Sequence, residues 1–191
     1  MDLAKVHWKG STLLSPVPTA LVTCSLGDEK NVLTVAWTGI INSQPPKTYV
    51  SIRPSRHSYE MIRKSGEFVI HPTPSKLVRA ADWCGIYTGA KTDKFRHCRL
   101  TPEPASEISA PLIAECPIAL ECRVTDVLPL GSHDMFLADI VAVDVDESLL
   151  DDDGKLRIER ADLIAYAHGD YYELGRRLGK FGFSVAKRKK S

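Results

Sequence analysis

The sequence predicts a mainly β protein, an antiparallel barrel with short helical insertions. Three observations carry this reading. Runs of β-type residues follow one another across short turns, and helical segments do not alternate regularly with them. There is also no Gly-x-Gly-x-x-Gly after a strand and no Gly-x-x-x-x-Gly-Lys loop, the marks of a parallel nucleotide-binding sheet. The 191 residues show no repeat and no low-complexity linker, so 1–191 reads as a single domain with a basic tail at 187–191.

Residues 19–26 form an apolar run expected to be a buried strand. Residues 27–31, Gly-Asp-Glu-Lys-Asn, turn the chain into a second strand at 32–37 and make a hairpin. After Pro45-Pro46 comes a third strand at 48–53. Residues 58–66 read as a short helix, with Ser58 as N-cap, Glu60 at the positive end and Gly66 as the stop. A strand follows at 67–71, a helix at 75–83 and a glycine-punctuated polar loop at 85–95. Residues 118–128 and 135–146 alternate well and form two long strands joined by a turn at 131–134. Residues 151–155, Asp-Asp-Asp-Gly-Lys, share part of a calcium-loop pattern but lack its later glutamate, so they read as a solvated turn.

Composition narrows the function classes. Hydrophobic content is 43% and charged content 26%, as in ordinary globular domains. A formal net charge of +1 argues against nucleic acid and membrane surfaces as partners. The only charge block, Lys187-Arg188-Lys189-Lys190, reads as a solvated tail or as a phosphate tether. No apolar stretch is long enough to span a bilayer, and residues 1–8 lack the apolar core of a signal peptide. With five cysteines and no Cys-x-x-Cys pair, reduced thiols and a cytoplasmic location are expected, without a metal site.

Four segments carry candidate chemistry. The stretch from Asn31 to Pro46 begins with alternation and runs into small residues and hydroxyls. If it is extended, Thr34, Ala36 and Thr38 share one face, either as a packing face or as a surface on which a flat ligand meets the backbone. Ser51-Ile52-Arg53-Pro54-Ser55-Arg56-His57-Ser58 concentrates two arginines and three hydroxyls ahead of a helix. It reads as an anion site, since helix N-termini and guanidinium groups both suit phosphate, or as an ordinary basic loop. The loop that contains Cys84, Gly85 and Lys94 reads as a ligand cover or as a structural loop. The Gly131-Ser132-His133-Asp134 turn carries a histidine that is either structural or directed at a ligand. No carboxylate pair and no Ser/His/Asp arrangement stands out, so no catalytic side chain is expected.

The order and spacing of several motifs resemble a known family. They are Asn31 to Trp37 with Pro45-Pro46, Arg56 with Ser58, and Gly66-Glu67-Phe68-Val69-Ile70. Further on come Asp82 to Gly85 with Gly89, Asp93-Lys94-Phe95, Glu115-Cys116-Pro117, and Leu120-Glu121-Cys122. The last are Gly131 with His133 and Phe136, and Tyr166 with Gly169-Asp170-Tyr171-Tyr172. From Pro18 to Lys187 the chain resembles the flavin reductase-like, flavoredoxin-type family of FMN-binding split-barrel proteins.

The resemblance implies a Greek-key split barrel, a homodimer, and FMN held non-covalently near the dimer interface. It implies an NAD(P)H-dependent oxidoreductase passing reducing equivalents to flavin, with NADH or NADPH as donor. Two other readings stand beside it: an electron carrier with tightly bound FMN serving a redox partner protein, and a non-catalytic FMN-binding module. Mapped onto this chain, Asn31, Thr34, Val35, Ala36, Trp37 and Thr38 would line the isoalloxazine and ribityl chain. Ser51, Arg53, Arg56 and Ser58 would surround the phosphate. Cys84, Gly85, Lys94 and His133 would approach the flavin or the partner subunit. His71 stands where the family often has Asn, and either it meets the flavin or it only packs.

Overall fold

The computed structural model describes residues 4–185, and the basic tail expected at 187–191 lies outside the described residues. The chain begins with a short strand β1 (Val17–Pro18), then β2 (Ala20–Leu26), β3 (Glu29–Val35), β4 (Thr38–Ser43) and β5 (Pro46–Ile52). Helix α1 (His57–Ser65) and strand β6 (Glu67–Pro72) follow, then helices α2 (Val78–Ile86) and α3 (Lys94–Cys98). Short strands β7 (Pro102–Glu103) and β8 (Leu112–Ile113) lead into the two long strands β9 (Ile118–Pro129) and β10 (Asp134–Val145). The hairpin of β11 (Ile164–Ala167) and β12 (Asp170–Glu173) ends the β structure.

Seven strands make the main sheet, in the order β3-β2-β6-β9-β10-β5-β4, and every neighbouring pair is antiparallel. The two edge strands, β3 and β4, are consecutive in the chain and joined by residues 36–37. The sheet therefore rolls into a barrel that stays open between its edges, a split barrel. The long-range pairings β2–β6 and β10–β5 close it in the Greek-key manner. A smaller sheet, β1-β11-β12, packs beside the opening.

The alternation of β2 explains the layering. Ala20, Val22 and Cys24 point into the barrel with Val50, Ile52, Phe68 and Phe136, whereas Leu21 points outward to Val32, Ala81, Phe95 and Ile113. β2 is buried on both faces, which is why it reads as a continuous apolar run. Helix α1 fills the barrel end with Tyr59, Met61 and Ile62. Full burial of Ile62, Phe68 and Phe136 contributes about 1.5–3 kcal/mol each. On the outside, α2 and α3 cover β2 and β3.

Several expectations need correction. The strand expected at 32–37 stops at Val35, and a strand not foreseen, β4, begins at Thr38. Ser58 is not the N-cap: helix α1 starts one residue earlier, with Arg56 at the cap position and Ser58 inside the first turn. Gly66 ends the helix as expected, in the left-handed conformation (φ 72°), with its N–H on the Ile62 carbonyl. The helix expected at 75–83 is a 3-10 turn, Ser75–Leu77, followed by α2, which runs on through Gly85 to Ile86. The expected loop at 85–95 is shorter, because Asp93 caps α3 by accepting the Arg96 N–H at 3.0 Å. The turn at 151–155 is held by the Asp151 carboxylate, which accepts the Asp153 and Lys155 N–H groups.

Candidate functional site

The bend at residues 36–37 places the end of β3 and the end of β5 beside the C-terminal turn of α2. A cavity of about 640 Å³ lies there. Thr34, Val35, Ala36 and Trp37 form one wall, with Ser51 and Arg53 at the end of β5 and Arg56 ahead of α1. Leu14 from the N-terminal arm, Ile86 from α2, and Tyr166, His168 and Tyr171 from the β11–β12 hairpin form the other side. A smaller cavity of about 150 Å³ shares Leu33, Thr34, Arg53, Arg56 and Gly85 with the larger one. Asn31, Ser58, Cys84, Gly89 and Lys94 are among its other lining residues, and none of the described residues lining it is a carboxylate.

Most residues singled out from sequence come together here. Thr34, Val35, Ala36, Trp37, Ser51, Arg53, Arg56, Gly85 and His133 line the larger cavity. Asn31, Ser58, Cys84 and Lys94 line the smaller one. Thr38 and His71 line neither. The bend breaks the period of two, so Thr38 does not share the face of Thr34 and Ala36; it is buried and its hydroxyl donates to the Tyr49 carbonyl. His71 is fully buried between sheet and loop. Its Nδ1–H donates to the Leu21 carbonyl at 3.1 Å and its Nε2 accepts the Ile113 N–H at 3.0 Å. Those partners fix a neutral tautomer, and burial lowers its pKa to about 4.

The smaller cavity is cationic. Lys94 is only 4% exposed, yet its ammonium donates to a single neutral partner, the Cys84 carbonyl, at 2.7 Å. Among the described residues no carboxylate pairs with Lys94 or Arg56. Burial pushes the Lys94 ammonium below its usual range, and Arg56 adds to that push. A desolvated cation without a counter-ion is costly, and an anion in the cavity relieves the cost. The N-terminus of α1 lies in the same wall and adds unpaired N–H groups and a partial positive charge. Asn31 is tied to this helix by Nδ2, which donates to Ser58 Oγ at 2.7 Å. Gly89 makes room for Asn31: a Cβ there would stand 2.2 Å from Asn31 Oδ1.

The larger cavity has a different character. Trp37 and His133 pack with ring centroids 4.5 Å apart, and Arg53 Nε donates to His133 Nε2 at 3.4 Å. Burial, then Arg53 and Arg56, push His133 below its usual pKa, which favours the neutral ring. Thr34 is turned from the sheet toward α2, its hydroxyl donating to the Ala81 carbonyl. Gly85 faces Thr34 at ordinary contact distance: a Cβ there would stand 3.4 Å from the Thr34 Cβ. Thr19 Oγ1, buried in the cavity wall, has no partner among the described residues. Tyr171 donates to the Asp82 carboxylate at 3.3 Å and packs edge-on to Tyr166, which steadies the hairpin over the opening.

Sequence reasoning missed the N-terminal arm (Thr12, Leu14, Ser15), Asp82 and the hairpin residues as cavity lining, whereas Ile86 lies in the loop it had singled out. A usable signal existed for the hairpin. His168 and Gly169 both have positive φ, the geometry of a two-residue turn, and they separate two aromatic-rich runs. No comparable local pattern marks the N-terminal arm.

A broad cavity with small and aromatic walls, joined to a compact cationic one, fits a flat ring system carrying a phosphate at the end of a flexible chain. Comparison with known proteins gives the family. A family model described as "Flavin reductase like domain" matches residues 13–175. The chain superposes on flavoredoxin of Desulfovibrio vulgaris (Miyazaki F) with a TM-score of 0.88 and 36% identity, covering 96% of this chain and 100% of that one. For flavoredoxin from Methanosarcina acetivorans the TM-score is 0.86 at 26% identity, covering 96% and 100%. An NADPH-flavin oxidoreductase of Streptomyces viridifaciens is 27% identical over 135 residues, 70% of this chain and 69% of that protein.

Proposed function

Because this chain belongs to the flavin reductase-like family, we propose that it is an FMN-binding oxidoreductase that takes reducing equivalents from NADH or NADPH and passes them to flavin. The observation that carries the reading is the Lys94 ammonium, buried without a counter-ion at a small cavity that opens into a large one. Lys94, Arg56 and Ser58, with the N-terminus of α1, hold the phosphate. Thr34 and Arg53, at the junction of the two cavities, and Asn31 in the smaller one hold the polar chain. Ala36 leaves the backbone of the bend open to a flat ring, and Trp37 and His133 border that ring.

Bound FMN supplies the hydride and electron chemistry. The residues position it, surround it and limit water. Tyr166 and Tyr171 shield the cavity from the side of the β11–β12 hairpin. His133, kept neutral beside Arg53, is a polar neighbour that adds no further positive charge. No side chain is required as acid or base.

A second reading is favoured by one finding, the 36% identity to a flavoredoxin across nearly the whole chain. In that reading FMN stays bound and electrons pass to a protein partner. Anaerobic addition of NADH or NADPH to the FMN-loaded protein separates the two. Rapid bleaching of flavin absorbance, with turnover of added free flavin, is the result expected of a reductase. Flavin that stays oxidised with both nucleotides overturns that reading in favour of the carrier.

The protein is proposed to act as a homodimer. Exposed Ile40, Ile86, Leu174, Leu178 and Phe181 are candidate contacts of that interface. Sedimentation of the full chain at twice the monomer mass is expected. No helix among the described residues is long and apolar enough to cross a membrane. Five unbridged cysteines support a reducing, cytoplasmic setting.

A further inference from the structure

We propose that Cys84 and Cys98 form a redox-active dithiol, a reversible disulfide site between the C-terminal turn of α2 and the end of α3. The two Sγ atoms lie 3.7 Å apart, and among the described residues this is the only contact between cysteine sulfurs. Cys24, Cys116 and Cys122 are buried singly, with Cys24 against Met61.

The contact is held in place by what surrounds it. Trp83 and His97, each the residue just before one of the cysteines, stack with centroids 3.8 Å apart and planes 14° apart. Tyr87 stacks on Trp83 at 4.5 Å. Lys94, the first residue of α3, donates to the Cys84 carbonyl at 2.7 Å. Two separate contacts, the Trp83–His97 stack and the Lys94–Cys84 hydrogen bond, therefore clamp the two helices where the thiols meet. A disulfide needs sulfurs at about 2.0 Å, so the remaining approach of about 1.7 Å is shared between two side chains.

Access is asymmetric, as a dithiol site requires. Cys84 is buried, whereas Cys98 is partly exposed. Burial raises both thiols, Cys84 to about 12, while the Lys94 ammonium favours the thiolate of each. Cys98 is thus the entering thiol and Cys84 the resolving one.

The oxidant is a small-molecule disulfide. Cys98 loses its proton to solvent, and its thiolate attacks one sulfur of the reagent. The reagent S–S bond breaks, and one reagent thiolate leaves. Cys84, deprotonated in turn, attacks the Cys98 sulfur and expels the second reagent thiolate. The protein pair is oxidised to a disulfide, the reagent is reduced to two thiols, and these take up the two protons.

The test uses the full chain, treated with oxidised glutathione, quenched by alkylation and mapped without reduction. The expected result is a mass lower by two hydrogen atoms, a peptide containing Cys84 joined to one containing Cys98, and reversal by dithiothreitol. Cys84→Ser is expected to stop at a stable glutathione adduct on Cys98. A wild-type protein that keeps glutathione on Cys98, or that keeps both residues fully alkylatable, overturns the proposal. The wild-type map decides even if the variant folds poorly.

Discussion

His71 offers a prediction whose size can be worked out from its surroundings. Its ring is fully buried and neutral, with a lowered pKa of about 4 in the folded state against 6.5 for an unperturbed histidine. The unfolded chain therefore binds a proton between those values that the folded chain does not, and stability falls as pH drops from 6.5 toward 4. At about 1.4 kcal/mol per unit, the full loss is about 3 kcal/mol, of which about 2 kcal/mol has gone by pH 5. His71→Asn removes the titrating group and keeps one donor and one acceptor for the Leu21 carbonyl and the Ile113 N–H. The assay is urea unfolding of wild type and variant at half-unit steps from pH 7.5 to 4.5. Buried carboxylates such as Glu121 titrate in both proteins, so the difference between the curves isolates His71. Wild type should lose about 2 kcal/mol more than the variant between pH 7 and 5. Parallel curves would refute the argument that His71 is held neutral by burial.

Other expectations follow from the site. Gly89→Ala drives a Cβ into Asn31 Oδ1, breaks the Asn31–Ser58 bond and should cost about 1–3 kcal/mol in urea unfolding. In an Asn31→Ala background the same substitution should cost far less, because the clash is gone. Lys94→Met removes a buried cation with one neutral partner, so the ligand-free protein should unfold at the same or higher urea concentration than wild type. The same variant should bind FMN about 10- to 100-fold more weakly, as measured by fluorescence titration.

Much of the barrel was legible because its signals are local. Strand β2 is buried on both faces, β9 and β10 alternate over long runs, and Gly66 stops α1 where a left-handed residue is needed. The gathering of Arg53, Arg56 and Ser58 at one cavity was also legible, since they crowd around the start of one helix. What failed depended on tertiary context. β4 contains Gly39, Asn42 and Ser43, residues depleted in strands, and it exists because β5 offers it a pairing edge. Thr38 was placed on the ligand face by assuming unbroken alternation, which the bend at 36–37 destroys. The N-terminal arm gives no periodic signal, and only the assembled fold brings Thr12 and Leu14 to the cavity.

The small cationic cavity, as the proposed seat of the FMN phosphate, is the centre of the proposed site. The measurement that tests it is the affinity of wild type and Arg56→Ala for FMN and for riboflavin, which lacks the phosphate. Loss of a charge-assisted contact of about 1.5–3 kcal/mol predicts that Arg56→Ala weakens FMN binding about 10- to 150-fold and leaves riboflavin binding nearly unchanged. Equal losses for both ligands, or none for either, would contradict the phosphate assignment.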